Sequence, residues 1–85
     1  MKAKPVIGDT VRIKWEDSWS NQSYCYTQKE IQAEKPKILE SRGILCRNDK
    51  MGMTLAIEVE VDEPYRFRHV QHIPRAMIRK IKIQR

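Results

Sequence analysis

Apolar and polar residues alternate with a period of two in several parts of this chain, and this feature constrains the fold more than any other. The stretch 11–16 alternates apolar with charged residues, and the stretch 53–61 repeats the pattern over five apolar positions. Successive side chains of a β-strand point to opposite faces, so these stretches predict strands with one buried face. Shorter alternations at 65–68 and 80–83 predict two further strands.

The first connection is long and polar. Residues 17–26 are rich in short polar side chains that hydrogen-bond to nearby backbone, so they predict a structured loop. Thr27 and Glu30 fit a capping box, in which each side chain satisfies a backbone amide of the other residue. This pair predicts a short helix over residues 28–34.

Two later segments depart from simple alternation. The stretch 37–47 has apolar residues around Gly43, which predicts a strand bent or bulged at the glycine. Residues 73–78 are too short for a stable helix and too irregular for a strand, so a single helical turn is predicted. Near residue 69, continued alternation would place His69 toward the core, whereas a bulge would turn Val70 inward. We expect the bulge.

These elements together predict a mainly β fold. Five strands, one long first connection containing a short helix, and a helical turn before the last strand describe a small five-stranded SH3-like barrel. An OB-like barrel is the nearest alternative. A chain of 85 residues encloses one hydrophobic core, so residues 1–85 are expected to form one domain.

The charge of the chain favours an anionic partner. Lysine and arginine outnumber aspartate and glutamate by 17 to 11, and residues 64–85 contain seven basic residues and no acidic one. Net charge also serves solubility, so this signal has an ordinary explanation as well. No apolar run approaches the length of a membrane span, and no export signal is evident, so we expect a cytoplasmic protein that does not bind membranes.

Catalytic and metal-binding chemistry have little support in the sequence. It contains no glycine-rich phosphate loop and no recognisable catalytic motif, so a binding protein without a cofactor is predicted rather than an enzyme. Cys25, Cys46, His69 and His72 are zinc-ligand types, but they form no Cys-x-x-Cys knuckle, and a His-x-x-His pair on a strand points to opposite faces. No metal site is predicted.

Candidate ligand-binding residues lie in the polar loop and in the basic segment. Trp19 and Tyr24 are not explained by core alternation and either anchor a ligand or pin the loop onto the barrel. Arg66 and Arg68 project from one face of a strand and could grip an anion together, unless that face is merely solvated. The complete set of candidates is Asp17, Ser18, Trp19, Tyr24, Arg66, Arg68, His69 and His72.

Several short motifs carry a resemblance to a known group of proteins. They are Trp15-x-Asp17-Ser18, Thr27-x-x-Glu30, Ser41-x-Gly43-Ile44-Leu45, Leu55-Ala56 and Ile73-Pro74-x-x-Met77-Ile78-x-x-Ile81. Over nearly its whole length the chain resembles small, mostly uncharacterised phage and prophage proteins. The shared positions are largely core and turn residues, so the resemblance implies a fold and a phage origin. The basic stretch after Tyr65 is not part of the shared pattern.

Three functions remain open at this point. The first is a counter-defence protein in the host cytoplasm that sequesters an anionic nucleotide signal or blocks a host defence protein. A small barrel cannot enclose a nucleotide alone, so signal capture would need a homo-oligomer with a pocket between subunits. The second is nucleic-acid binding, with phosphates contacted by Arg66, Arg68, Arg79, Lys80 and Lys82. The third is a structural or assembly component of the virion.

Overall fold

A computed structural model describes residues 4–17 and 25–84 of the chain. It contains five strands, one α-helix and one 3-10 turn within these residues. The elements are β1 (Thr10–Asp17), α1 (Gln28–Ala33), β2 (Lys37–Asp49), β3 (Gly52–Glu60), β4 (Arg66–Pro74), the 3-10 turn (Arg75–Met77) and β5 (Ile78–Gln84). The mainly β prediction is confirmed, including the helix in the first connection and the helical turn before the last strand.

All five strands belong to one antiparallel sheet. Their order is β4-β3-β2-β1-β5, so the first strand lies between the second and the last. This is the strand order of an SH3-like barrel. In the described part of the chain β4 and β5 form the two edges and do not pair, so hydrogen bonding does not close the barrel.

The hydrophobic core lies on one face of this curved sheet. Alternate residues of β1 and of the first half of β3 point into it, as the period-two pattern predicts, whereas Ile57 and Val61 are exposed and depart from the predicted buried face. Its buried residues are Val11, Ile13, Leu45, Met53, Leu55 and Ile73, with Trp15, Ile78, Ile81 and Ile83 packed against them. The indole Nε1 of Trp15 donates a hydrogen bond to Ser41 Oγ at 3.0 Å, so the polar atom of this large side chain is satisfied at the rim of the core.

The turn between β2 and β3 is tied to the 3-10 turn that precedes β5. The guanidinium of Arg75 donates to the backbone oxygen of Asp49 at 2.6 Å, and also to the side-chain oxygen of Asn48. Asp49 in turn accepts from Arg47 Nε at 2.7 Å and from the backbone amide of Met51 at 2.8 Å. These hydrogen bonds, first the one from Arg47, hold the pKa of Asp49 below its usual value. The start of β5 is thereby anchored to a well-bonded turn.

The helix α1 begins with the predicted capping box. The backbone amide of Glu30 donates to Thr27 Oγ1 at 3.2 Å, and Glu30 Oε1 accepts from the backbone amide of Thr27 at 3.4 Å. All six helical residues are exposed. No helix in residues 4–17 and 25–84 has the length and apolar character needed to span a bilayer.

The strand β4 differs from the prediction at His69 and Val70. His69 has a left-handed φ of 54°, yet the pairing register is the same on both sides of it, because Ala56 opposes Val70 and Glu58 opposes Arg68. No residue is inserted, and Val70 is 58% exposed. The predicted bulge that turns Val70 inward is therefore wrong. Alternation persists through β4, so Val70 stays on the sheet face opposite to the one on which Ile73 is buried.

Candidate functional site

Of the candidate residues in the polar loop, only Asp17 belongs to the part of the chain that the structure describes. Ser18, Trp19 and Tyr24 lie outside the described residues. Asp17 is the last residue of β1, where it is half-buried and pairs with Lys37 at the start of β2. Two strands separate β1 from β4 in the sheet, so Asp17 and the basic residues of β4 belong to separate regions of it.

Arg66 and Arg68 share the outer face of β4, as predicted, but acidic residues lie beside them. Arg66 pairs across the strands with Glu60, and Arg68 pairs with Glu58. The guanidinium of Arg68 lies 3.8 Å from Glu58 and 3.5 Å from Glu60. These carboxylates compensate the positive charge of this face, so it is a weak candidate for binding an anion.

His72 is held by hydrogen bonds within the fold. Its Nε2 lies 3.2 Å from the backbone oxygen of Met51, and its Nδ1 lies 2.8 Å from Thr54 Oγ1. A carbonyl oxygen can only accept, so Nε2 carries the proton and Nδ1 accepts from the hydroxyl, an assignment made from this network. Both ring nitrogens are thus used in joining β3 to β4. His69 is exposed on the outer part of the same strand.

A cluster of basic residues lies on the sheet face opposite the core, across β2, β1 and β5. Cross-strand pairing arranges it in two rows of three residues. One row is Arg42, Arg12 and Lys82, and the other is Glu40, Lys14 and Lys80. Five of these residues line a shallow depression of about 170 Å³, and the sixth, Arg42 of β2, lies opposite Arg12. We call these six residues the basic groove.

The single carboxylate of the basic groove is already paired. Glu40 Oε2 accepts from Arg42 Nε at 3.2 Å and from Arg42 Nη2 at 3.0 Å. The hydrogen bond from Arg42, together with the charges of Arg42, Arg12 and Lys14, lowers the pKa of Glu40 below its usual value. The carboxylate is therefore ionised at neutral pH and cancels the charge of Arg42.

The remaining cations of the groove have few partners. Within residues 4–17 and 25–84, the side-chain ammonium groups of Lys14, Lys80 and Lys82 make no hydrogen bond and no ion pair. With the side-chain amide of Gln84 assigned so that its oxygen faces Arg12, this oxygen accepts from Arg12 Nη2 at 2.9 Å, which orients the guanidinium without neutralising it. Four positive charges thus share one open surface.

Only two of the six groove residues were anticipated from the sequence. Lys80 and Lys82 were proposed as phosphate contacts together with Arg79, whereas Arg12, Lys14, Glu40 and Arg42 were not singled out. Arg79 is engaged elsewhere, because its guanidinium donates to Glu16 at 2.9 Å and to the backbone oxygen of Ala76 at 2.7 Å. Arg12 and Lys14 occupy the polar positions of the period-two pattern in β1. They could be singled out only once β1 is known to lie beside β5, which carries Lys80 and Lys82.

Residues 4–17 and 25–84 contain no group of three or more histidine, cysteine or acidic side chains arranged to hold a metal ion. Cys46 is half-buried, and its thiol donates to the backbone oxygen of Thr54 at 3.3 Å. Burial raises the pKa of the Cys46 thiol above its usual value. Comparison of the chain with protein-family models, with curated proteins and with solved structures finds no match.

Proposed function

We propose that this protein is a non-enzymatic binding protein whose basic groove holds the phosphates of a single-stranded nucleic acid. The observation that carries the proposal is the pairing of like charges across the strands, Arg12 with Lys82 and Lys14 with Lys80. Like charges directly opposite each other in a sheet are destabilising. A phosphate bound between the two basic residues of a pair would attract both of them and so offset their mutual repulsion.

The shape of the groove favours an extended strand over a single nucleotide. Its volume of about 170 Å³ is well below the roughly 300–1,000 Å³ of pockets that enclose small molecules. The two rows of side chains extend about 10 Å across three strands and about 7 Å along them. A surface of this size accommodates a few consecutive phosphates and leaves the bases free.

The chemistry of the groove predicts binding that is insensitive to base sequence. Its six residues are lysine, arginine and glutamate, with no aromatic side chain on which a base could stack. Trp15, the nearest large aromatic residue in β1, points to the opposite face and is bonded to Ser41. Phosphate contacts position a nucleic acid without reading its bases, so they should supply most of the affinity.

Salt titration tests the proposal directly. Four phosphate contacts to a single strand predict a slope of about −3 for the logarithm of the binding constant against the logarithm of salt concentration. Affinity for a labelled oligouridylate should therefore fall about 50-fold between roughly 50 and 200 mM salt. Fluorescence anisotropy measures both quantities. Binding that is absent at low salt, or that ignores salt, would contradict a phosphate-binding groove.

A second candidate function rests on a different surface. The hairpin of β3 and β4 exposes large apolar side chains that its own core does not cover, including Ile57 at 68% and Val61 at 76% exposure. Exposed apolar patches often mark protein interfaces. Together with the resemblance to small phage proteins, this surface supports the counter-defence hypothesis: a cytoplasmic homo-oligomer that sequesters a nucleotide signal between subunits, or a protein that blocks a host defence protein.

Native mass spectrometry tests this second function. A sequestering protein should appear as a dimer or larger assembly at low micromolar concentration and should retain a cyclic or linear nucleotide supplied in a mixed panel. A one-to-one complex recovered with a host defence enzyme would instead indicate the blocking mode. A monomer that retains no small nucleotide and no host protein would remove the counter-defence function and leave the nucleic-acid proposal in place.

A further inference from the structure

Glu40 is an unexpected residue in a groove that binds phosphate. It lies on β2 directly opposite Lys14 of β1, and Lys80 lies on the other side of Lys14 in the same row. A carboxylate at this position repels an incoming phosphate and weakens the positive field of its neighbours. The proposed function alone gives no reason for an acid at the end of a row of cations.

The hydrogen bonding of Glu40 leaves one of its oxygen atoms available. Both hydrogen bonds from Arg42 end on Oε2, and within the described residues Oε1 has no hydrogen-bond partner. Arg42 fixes the orientation of the carboxylate and keeps it ionised. An ionised carboxylate oxygen can only accept, so Oε1 is a fixed acceptor among the groups that would contact phosphate.

A nucleic acid strand offers one donor that lies next to its phosphates at every nucleotide. This donor is the 2′-hydroxyl of ribose, which deoxyribose lacks. We propose that Glu40 Oε1 accepts a hydrogen bond from a ribose 2′-hydroxyl while Lys14, Lys80 and Lys82 contact the adjoining phosphates, so that the groove selects RNA over DNA. This inference rests on the proposed phosphate-binding function and names the class of strand that it takes.

The test compares oligouridylate with oligodeoxyuridylate, which carry the same base, in anisotropy titrations at low salt. Wild-type protein should bind the ribose strand about tenfold more tightly, the lower end of the range expected of one hydrogen bond to a charged acceptor. Glu40→Gln keeps an acceptor oxygen but removes the charge, so the preference should shrink. Glu40→Ala removes the acceptor, so the preference should disappear. Glu34→Gln, at the exposed end of α1, removes one negative charge elsewhere and should leave the preference unchanged.

Comparison of the ribose and deoxyribose oligonucleotides also distinguishes a Glu40 carboxylate that accepts a hydrogen bond from one that only repels phosphate. Loss of the Glu40 charge should strengthen binding of the deoxyribose strand, because repulsion of its phosphates is relieved. A carboxylate that only repels phosphate would, when removed, strengthen binding of both strands by the same factor, and that result would overturn the inference. Equal affinity of wild-type protein for both strands would overturn it as well. If neither strand binds, the phosphate-binding function itself fails.

Discussion

Replacing Lys14 and Lys82 together with glutamine is expected to weaken binding of a single-stranded oligonucleotide about 30-fold at moderate salt. Each lysine contributes about 1 kcal/mol through one exposed phosphate contact, and 1.4 kcal/mol corresponds to a tenfold change in affinity. The slope of the salt dependence should fall by about 1.4, because two contacts are lost. Anisotropy titrations of the double variant at several salt concentrations measure both effects.

The same double variant should be slightly more stable than the wild-type protein. Each substitution removes one member of a pair of like charges, Lys14 opposite Lys80 and Lys82 opposite Arg12. Relief of this repulsion is worth a few tenths of a kcal/mol per pair. Lys14 also lies opposite Glu40, and loss of that attraction offsets the gain there, so the net gain comes mainly from Lys82. Denaturant unfolding should therefore show an unchanged or higher midpoint. A gain in stability together with a loss of binding is the behaviour expected of residues retained for function.

A matched control variant separates the effect of removing lysines from the basic groove from the effect of lowering the net charge. Lys29 lies on α1 and Lys50 lies in the turn between β2 and β3, and both are exposed. Their joint replacement by glutamine removes the same total charge as the groove variant. This control should lose only a small part of the affinity, through the weaker overall field. An equal loss in both double variants would show that net charge rather than the groove attracts the strand.

The fold could be predicted from the sequence wherever a strand covers the core. In β1 and in the first half of β3 one face is buried, so burial requires apolar residues at alternate positions, and the pattern is plain. The capping box of α1 is equally local, since it depends on two residues three apart. At Val70 the prediction failed because alternation persists through His69 and keeps Val70 on the face opposite the buried Ile73. An apolar residue on the outer face gives the same sequence signal as a bulge that turns it inward.

The candidate site could not be assembled from the sequence for a different reason. Arg12 and Lys82 come from opposite ends of the chain and become neighbours only because β1 lies beside β5. Taken alone, each of these two residues is an ordinary solvated residue on the polar face of a strand. In contrast, Arg66 and Arg68 are conspicuous in the sequence, but Glu58 and Glu60 on the paired strand compensate them. Charge patterns along one strand say little until the opposing strand is known.

Replacing Gly52 with alanine is expected to destabilise the protein by about 4 kcal/mol. Gly52 has a φ of 142°, which side chains rarely adopt, and strain of this kind costs about 1–3 kcal/mol. A Cβ at this position would lie 2.1 Å from the backbone oxygen of Ile73 and 3.0 Å from the backbone amide of Arg75. Neither backbone atom can move aside freely, so overpacking adds roughly another 1–3 kcal/mol. Denaturant unfolding followed by circular dichroism measures the loss.

Gly8 is the matched control, because it separates strain from crowding. Its φ is 99°, also positive, but a Cβ there would meet no atom within 4 Å. Gly8→Ala should therefore cost only the strain, about 1–2 kcal/mol. Equal losses in the two variants would contradict the close approach at Gly52. Gly52→Ala should also weaken binding of the oligonucleotide, because Ile73 and Arg75 lead into β5 and thus position Lys80 and Lys82.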